Sequence, residues 1–157
     1  MTIPGIEIRA ESPADVDAVK EVWRLAVADL RKFYRPTASA IKTAGARQGV
    51  GSLVALIDGR VVGGLRYYMA DGRLRSMGPM VHPDFRRRGV ARALLGALAE
   101  IGRELGASCL ALCTVVQTGN VEIFRRLGFK VVSEYPATDM ESITGQPLTE
   151  AEMERPI

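Results

Sequence analysis

The sequence predicts an α+β fold in which a mixed, mostly antiparallel sheet contains one parallel pair and is flanked by helices. Three observations predict it. Two Asp-Gly dipeptides, Asp58-Gly59 and Asp71-Gly72, separate β-rich runs, and a type I′ turn needs the positive φ that these residues tolerate. A strand, an amphipathic helix and another strand then succeed one another between Arg73 and Cys113, an order that imposes a right-handed crossover and a parallel pair. The length of 157 residues suits one domain, because a chain of this size buries about two-thirds of the surface it exposes when unfolded.

The elements follow in order. Ile6-Glu7-Ile8-Arg9 alternates as a short edge strand does. Ser12 as N-cap and Pro13 at the first helical position start a helix. Val16, Val19, Val22, Trp23, Ala26, Val27 and Leu30 recur along it at three- and four-residue spacing, so one face is apolar to about Leu30, with Trp23 as a core anchor. Residues 32–51 are weakly patterned. Pro36 marks a turn there, and Ile41, Ala44 and Ala46 suggest a second, poorly amphipathic helix at the rim of a substrate site.

Leu53–Ile57, Arg60–Met69 and Arg73–Val81 form a three-strand meander around the two Asp-Gly turns. Val90, Ala91, Leu94, Leu95, Leu98, Ile101 and Leu105 trace an amphipathic helix that ends at Gly106. Ser108–Cys113 is a buried strand, Asn120–Leu127 a helix capped by Gly128, and Phe129–Tyr135 a final strand. A single domain thus occupies residues 1–140. Residues 141–157, with Pro147 and Pro156 among acidic residues, form a peripheral or partly disordered tail in which Thr149–Glu152 can nucleate one helical turn.

Hydrophobic residues make up 47% of the chain and charged residues 25%, the balance of a globular protein rather than a disordered one. No window approaches the roughly 18 apolar residues that a membrane helix needs, and the N-terminus has neither the basic nor the apolar region of a secretory leader. These features predict a cytoplasmic protein without a membrane partner. Cys109 and Cys113 are too few for a disulfide scaffold and spaced unlike a Cys-x-x-Cys metal or redox pair, so they read as buried, reduced thiols and no metal is expected. Of the 21 basic residues 17 are arginine, and only the cluster Arg86, Arg87, Arg88 and Arg92 calls for more than a solvated surface.

That cluster lies where a strand ends and a helix begins. The first N–H groups of a helix lack internal partners, and the helix dipole adds positive charge, so the spot favours a phosphate or pyrophosphate. Gly89 and Ala91 let an anion approach the main chain, and the arginines add attraction. The run from Val81 through Pro83, Arg86, Arg87, Arg88, Gly89, Val90 and Ala91 to Arg92 resembles motif A of the GNAT acetyltransferases. Its core is Arg or Gln, two residues, Gly, one residue, then Gly or Ala, supplied here by Arg86, Gly89 and Ala91. Phe124-Arg125-Arg126-Leu127-Gly128-Phe129 is similar to motif B of the same family, and the order of elements from Ile6 to Tyr135 fits it as well.

The resemblance implies the acyl-CoA N-acyltransferase fold, with its parallel pair splayed at the CoA site, acetyl-CoA as co-substrate, and transfer of acetyl to a primary amine by direct attack in a ternary complex. It places the pyrophosphate largely on the backbone amides from Arg87 to Arg92, with Arg86 also among the cofactor-binding residues. Pro79, Met80 and Val81 would pair with the pantetheine arm, and the Val81 N–H would polarise the thioester carbonyl, where charge develops in the transition state. Gln117, Asn120 and Phe124 complete the implied cofactor residues, although Gln117 and Asn120 can equally cap a helix. The acceptor would be a small molecule or a peptide, and a homodimer is expected by analogy.

Two departures leave the proton chemistry open. The tyrosine that motif B often supplies as acid is Phe124, and the position where some relatives carry a glutamate base is Leu112. A thiolate can leave unaided, with water as proton source. Tyr67, Tyr68 and Tyr135 are strand residues that read first as packing, Cys113 as a core thiol, and His82 and Glu134 as weak candidates for a base. A GNAT-like module that binds CoA with little turnover is the alternative. A nucleic-acid partner is not expected, because the arginines lack interleaved aromatics, and no Gly-x-Gly-x-x-Gly follows the first strand as a nicotinamide fold requires.

Overall fold

The computed structural model describes residues 3–37 and 51–157. The helix expected around Ile41, Ala44 and Ala46 lies outside them. In chain order the elements are β1 (Glu7–Ala10), α1 (Val16–Val27), β2 (Tyr34–Pro36), β3 (Gly51–Ile57), β4 (Arg60–Ala70), β5 (Arg73–Val81), α2 (Val90–Leu105), β6 (Cys109–Val115), α3 (Asn120–Arg126), β7 (Lys130–Pro136), β8 (Met140–Ser142) and β9 (Thr149–Pro156). They belong to two compact units, the first comprising residues 3–27, 51–110 and Ile157, the second residues 28–37 and 111–156.

In the first unit the strands run in the spatial order β1-β3-β4-β5, each neighbour antiparallel. Both Asp-Gly turns form as expected, with φ of 49° and 75° at Asp58 and Gly59 and of 53° and 74° at Asp71 and Gly72. Ser12 is the N-cap and Pro13 opens the first turn. Helix α1 closes at Val27, short of the expected Leu30, and a 3₁₀ turn at Leu30–Lys32 follows.

Two bulges shape the sheet. Between the Ala55–Gly63 and Leu56–Val61 pairs, Val62 is an extra residue, and it switches the faces of β4. Val61 therefore packs with Val19, Trp23, Val54 and Leu56, while Gly63 turns to α2, where a Cβ would lie 2.9 Å from Val90 Cγ1 and 3.0 Å from the Met80 carbonyl oxygen. That close approach seats the start of α2 on the strands. In β5, Gly78 and Pro79 together oppose Leu65. Leu94, Leu95 and Leu98 of α2 are fully buried with Leu74, and Ser108, beyond the helix, donates to the Gly72 carbonyl from both its N–H (2.8 Å) and its Oγ (3.1 Å).

In the second unit β6, β9 and β7 lie in that order, β9 antiparallel to β7 with Tyr135 opposite Glu150 and Ser133 opposite Glu152. A two-stranded antiparallel ribbon joins β2 to β8. Leu112, Val115, Phe129, Leu148, Ala151 and Met153 are buried. The expectation of a peripheral tail at residues 141–157 is corrected here. Glu150, Glu152 and Glu154 alternate with Ala151 and Met153, both fully buried, and this two-residue period is that of a half-buried strand. The intrinsic helix preference of Glu and Ala yields to it.

Candidate active site

The phosphate-type loop belongs to the first unit. Beyond Val81 a 3₁₀ turn spans Pro83–Phe85, Arg87 has φ 63°, and Gly89, the N-cap of α2, has φ 85° and ψ 11°. Ala93 N–H donates the first bond of α2 to the Gly89 carbonyl at 2.9 Å. The N–H groups of Val90, Ala91 and Arg92 precede it and have no intrahelical acceptor. Two left-handed residues flanking Arg88 fold the chain into the kind of concave turn whose amides receive anions. Arg86, Arg87, Arg88 and Arg92 are exposed around it, so the loop combines main-chain donors with positive side chains.

The base of the loop is fixed by packing. His82 is buried, 8% exposed. Its Nδ1 accepts from the Asp84 N–H at 3.1 Å, its Nε2 lies 3.4 Å from Arg60 Nη2, and its ring meets Phe85 edge-on at 5.5 Å. Both nitrogens are engaged, so His82 holds the turn and is not poised as a free base. Arg60 and Arg88 stack on Phe85, 5.2 and 5.1 Å from its centroid, a cation–π arrangement that keeps two guanidinium groups beside the loop. Arg60 is the first residue of β4, and nothing in the local sequence marks it. Pro79, Met80 and Val81 close β5, with Met80 opposite Gly64 and Val81 opposite Gly63; the next N–H, that of His82, is held by the Val62 carbonyl at 2.8 Å.

Gln117, Asn120 and Phe124 lie in the second unit. The Gln117 carbonyl oxygen accepts from the Thr149 N–H at 2.9 Å and its amide reaches Thr149 Oγ1 at 3.5 Å, so this side chain staples the start of β9. Asn120 is the first residue of α3 rather than its cap, which is Gly119. Phe124 packs edge-on against Phe129 with centroids 5.9 Å apart. Leu112 is buried, 2% exposed.

One cluster in this unit overturns the reading of Cys113 as a core thiol. Cys113 is exposed, and its Sγ donates to Glu152 Oε2 at 2.7 Å. It also touches the Tyr135 hydroxyl at 3.2 Å, which itself donates to Glu150 Oε2 at 3.1 Å. Burial, first, and then Cys113 and Glu150 push the Tyr135 phenol far above its ordinary range, so it stays protonated as a donor. Glu134 has no place in this cluster, since it neighbours Tyr135 on β7 and projects from the other face. Local sequence around Cys113 carries no acidic residue; the two-residue spacing of Glu150 and Glu152 on β9 was the available signal. Among the described residues no group of His, Cys, Asp and Glu is placed to hold a metal, and no helix is long and apolar enough to cross a membrane.

A glycine-capped anion loop opening an amphipathic helix, set on an antiparallel meander, defines an acyl-CoA type of acyltransferase fold. The family model described as the acetyltransferase (GNAT) family matches residues 18–129, and the chain belongs to that family. A GCN5-related N-acetyltransferase from Kribbella flavida superposes with a TM-score of 0.75 at 22% identity, covering 98% of each chain. The ribosomal-protein-S18-alanine N-acetyltransferase of Escherichia coli gives 0.70 at 21% identity, covering 97% of this chain and 94% of that one. The Salmonella typhimurium protein yncA, solved with its cofactor acetyl-CoA, gives 0.69 at 23%, again over 97% and 94%. These likenesses show the fold, α+β with a mixed sheet that includes a parallel pair, as the sequence predicts. No curated protein matches the chain by sequence.

Proposed function

We propose that the protein is an acetyl-CoA-dependent N-acetyltransferase that passes acetyl to a primary amine by direct attack in a ternary complex. The observation that carries this reading is the loop from Arg86 to Arg92, where Gly89 in the left-handed conformation starts α2 and leaves the Val90, Ala91 and Arg92 amides for a diphosphate. The acetyl-CoA bound to the yncA neighbour supports the choice of co-substrate. In this reading the pantetheine runs along Pro79, Met80 and Val81, and the Val81 N–H stabilises charge on the thioester oxygen. Holding amine and thioester together supplies much of the remaining acceleration.

Phe124 lies against Phe129 and has no proton to give, which favours a second reading, a module that binds CoA without turnover. Calorimetry and turnover separate the two. Acetyl-CoA should bind the wild-type chain, and Gly89→Val, which forces a branched side chain into a left-handed φ and towards Ile3 Cδ1 at 3.0 Å, should weaken binding at least about tenfold, or roughly 1.4 kcal/mol. Thiol release with an amine panel then marks the enzyme. An absence of heat with CoA and acetyl-CoA would remove both readings.

A further inference from the structure

The anion loop is held at its two ends by main-chain hydrogen bonds. At the strand end the His82 N–H donates to the Val62 carbonyl at 2.8 Å, and at the helix end the Ala93 N–H donates to the Gly89 carbonyl at 2.9 Å. Between them the chain passes Arg87 at φ 63°, a left-handed conformation whose strain, in a residue other than glycine, the surroundings have to offset. Phe85 and Arg88 span this point. Arg88 lays its guanidinium over the Phe85 ring with Cζ 5.1 Å from the centroid, a cation–π contact that closes the chain around Arg87.

The ring itself is placed from outside the loop. Arg60, the first residue of β4, reaches both aromatic groups of the turn before Arg87. Its Cζ lies 5.2 Å from the Phe85 centroid and its Nη2 lies 3.4 Å from His82 Nε2, while His82 meets Phe85 edge-on at 5.5 Å. Arg60 is exposed and so adds little to the core; what it contributes is the position of this turn.

We propose that Arg60 is a positioning residue for the diphosphate site: it fixes Phe85, Phe85 fixes Arg88, and the chain through Arg87 keeps its anion-receiving shape before the anion arrives. The proposal rests on the proposed acetyl-CoA binding and deepens it. Arg60 acts through the ring and not by touching the cofactor. When only a fraction of molecules holds the receptive shape, the apparent dissociation constant rises by the inverse of that fraction. Loosening the loop therefore weakens binding without altering the bound complex.

The test is calorimetry with acetyl-CoA on the full chain. Arg60→Gln should raise the dissociation constant by about 3- to 10-fold and leave the denaturant midpoint near that of wild type, as expected of an exposed side chain. Arg60→Lys, which keeps the charge but not the flat face, should bind more like Arg60→Gln than like wild type. In a Phe85→Leu background the Arg60→Gln change should cost less than about twofold, because the ring through which it acts has gone. Wild-type affinity in Arg60→Gln overturns the proposal. Full recovery in Arg60→Lys, or the same loss with and without Phe85, also overturns it, since either result makes Arg60 a distant charge. A fall in the denaturant midpoint that accounts for the weaker binding overturns it as well. The two Arg60 variants decide the matter even if Phe85→Leu misfolds. Each of these outcomes leaves acetyl-CoA binding standing, whereas an absence of heat with the wild-type chain takes down that reading and this proposal together.

Discussion

Asp15 shows how one side chain can tie the first strand to the first helix. Arg9 clasps its carboxylate with Nη1 at 2.7 Å and Nη2 at 3.0 Å, and the Ser12 N–H and Oγ donate to the same carboxylate at 2.7 and 3.0 Å. The Arg9 hydrogen bonds first, then the Ser12 amide, hold the Asp15 carboxyl well below the usual carboxylate range. Because the folded value is depressed, the unfolded chain binds the proton first as pH falls, so the stabilisation is present above the unfolded value of about 3.9 and is lost below it. Asp15→Asn should therefore lower the urea midpoint at pH 7. The gap to wild type should stay constant down to about pH 5 and narrow below about pH 4. A gap that widens in acid would contradict this account.

At the scale of elements, the approach of α2 to the sheet depends on Gly63. A methyl there would press on Val90 Cγ1 and the Met80 carbonyl oxygen, so Gly63→Ala should cost about 1–3 kcal/mol through overpacking. It should also weaken acetyl-CoA binding in calorimetry, since Val90 is the first residue of α2. Gln117→Ala should cost about 1 kcal/mol by freeing the Thr149 N–H; a denaturant midpoint equal to that of wild type would sink the staple. The anion loop was legible in the sequence because all its parts are local, with Arg86, Gly89 and Ala91 adjacent and the Asp-Gly turns fixing the meander before it. The Cys113, Tyr135, Glu150 and Glu152 cluster was not, because its members are 22 and 39 residues apart from one another through Cys113 and meet only through strand pairing. Arg60 was hidden for the same reason: a lone arginine shows no sign in sequence of the ring it will stack upon, here that of Phe85.

For the whole molecule, the C-terminal residues matter out of proportion to their composition. Charged and proline-bearing, they read as a peripheral or partly disordered tail, yet Ala151 and Met153 are fully buried in the second unit, Arg155 Nη1 donates to the Leu127 carbonyl at 3.3 Å, and Ile157 belongs to the first unit, where its Cδ1 occupies the space beside Gly102. The chain's last nine residues thus complete both units. Removing residues 149–157 strips β7 of its partner and uncovers a core that Met153 alone stabilises by roughly 1.5–3 kcal/mol, against a total of about 5–15 kcal/mol for an ordinary domain. The shortened chain should lose its cooperative thermal transition in circular dichroism and fail to bind acetyl-CoA. Met153→Ala, a milder lesion, should keep a single transition with an unchanged denaturant slope and lose about 2–5 kcal/mol. If the chain ending at Leu148 melted at the wild-type temperature, β9 would be an ornament on an already complete core.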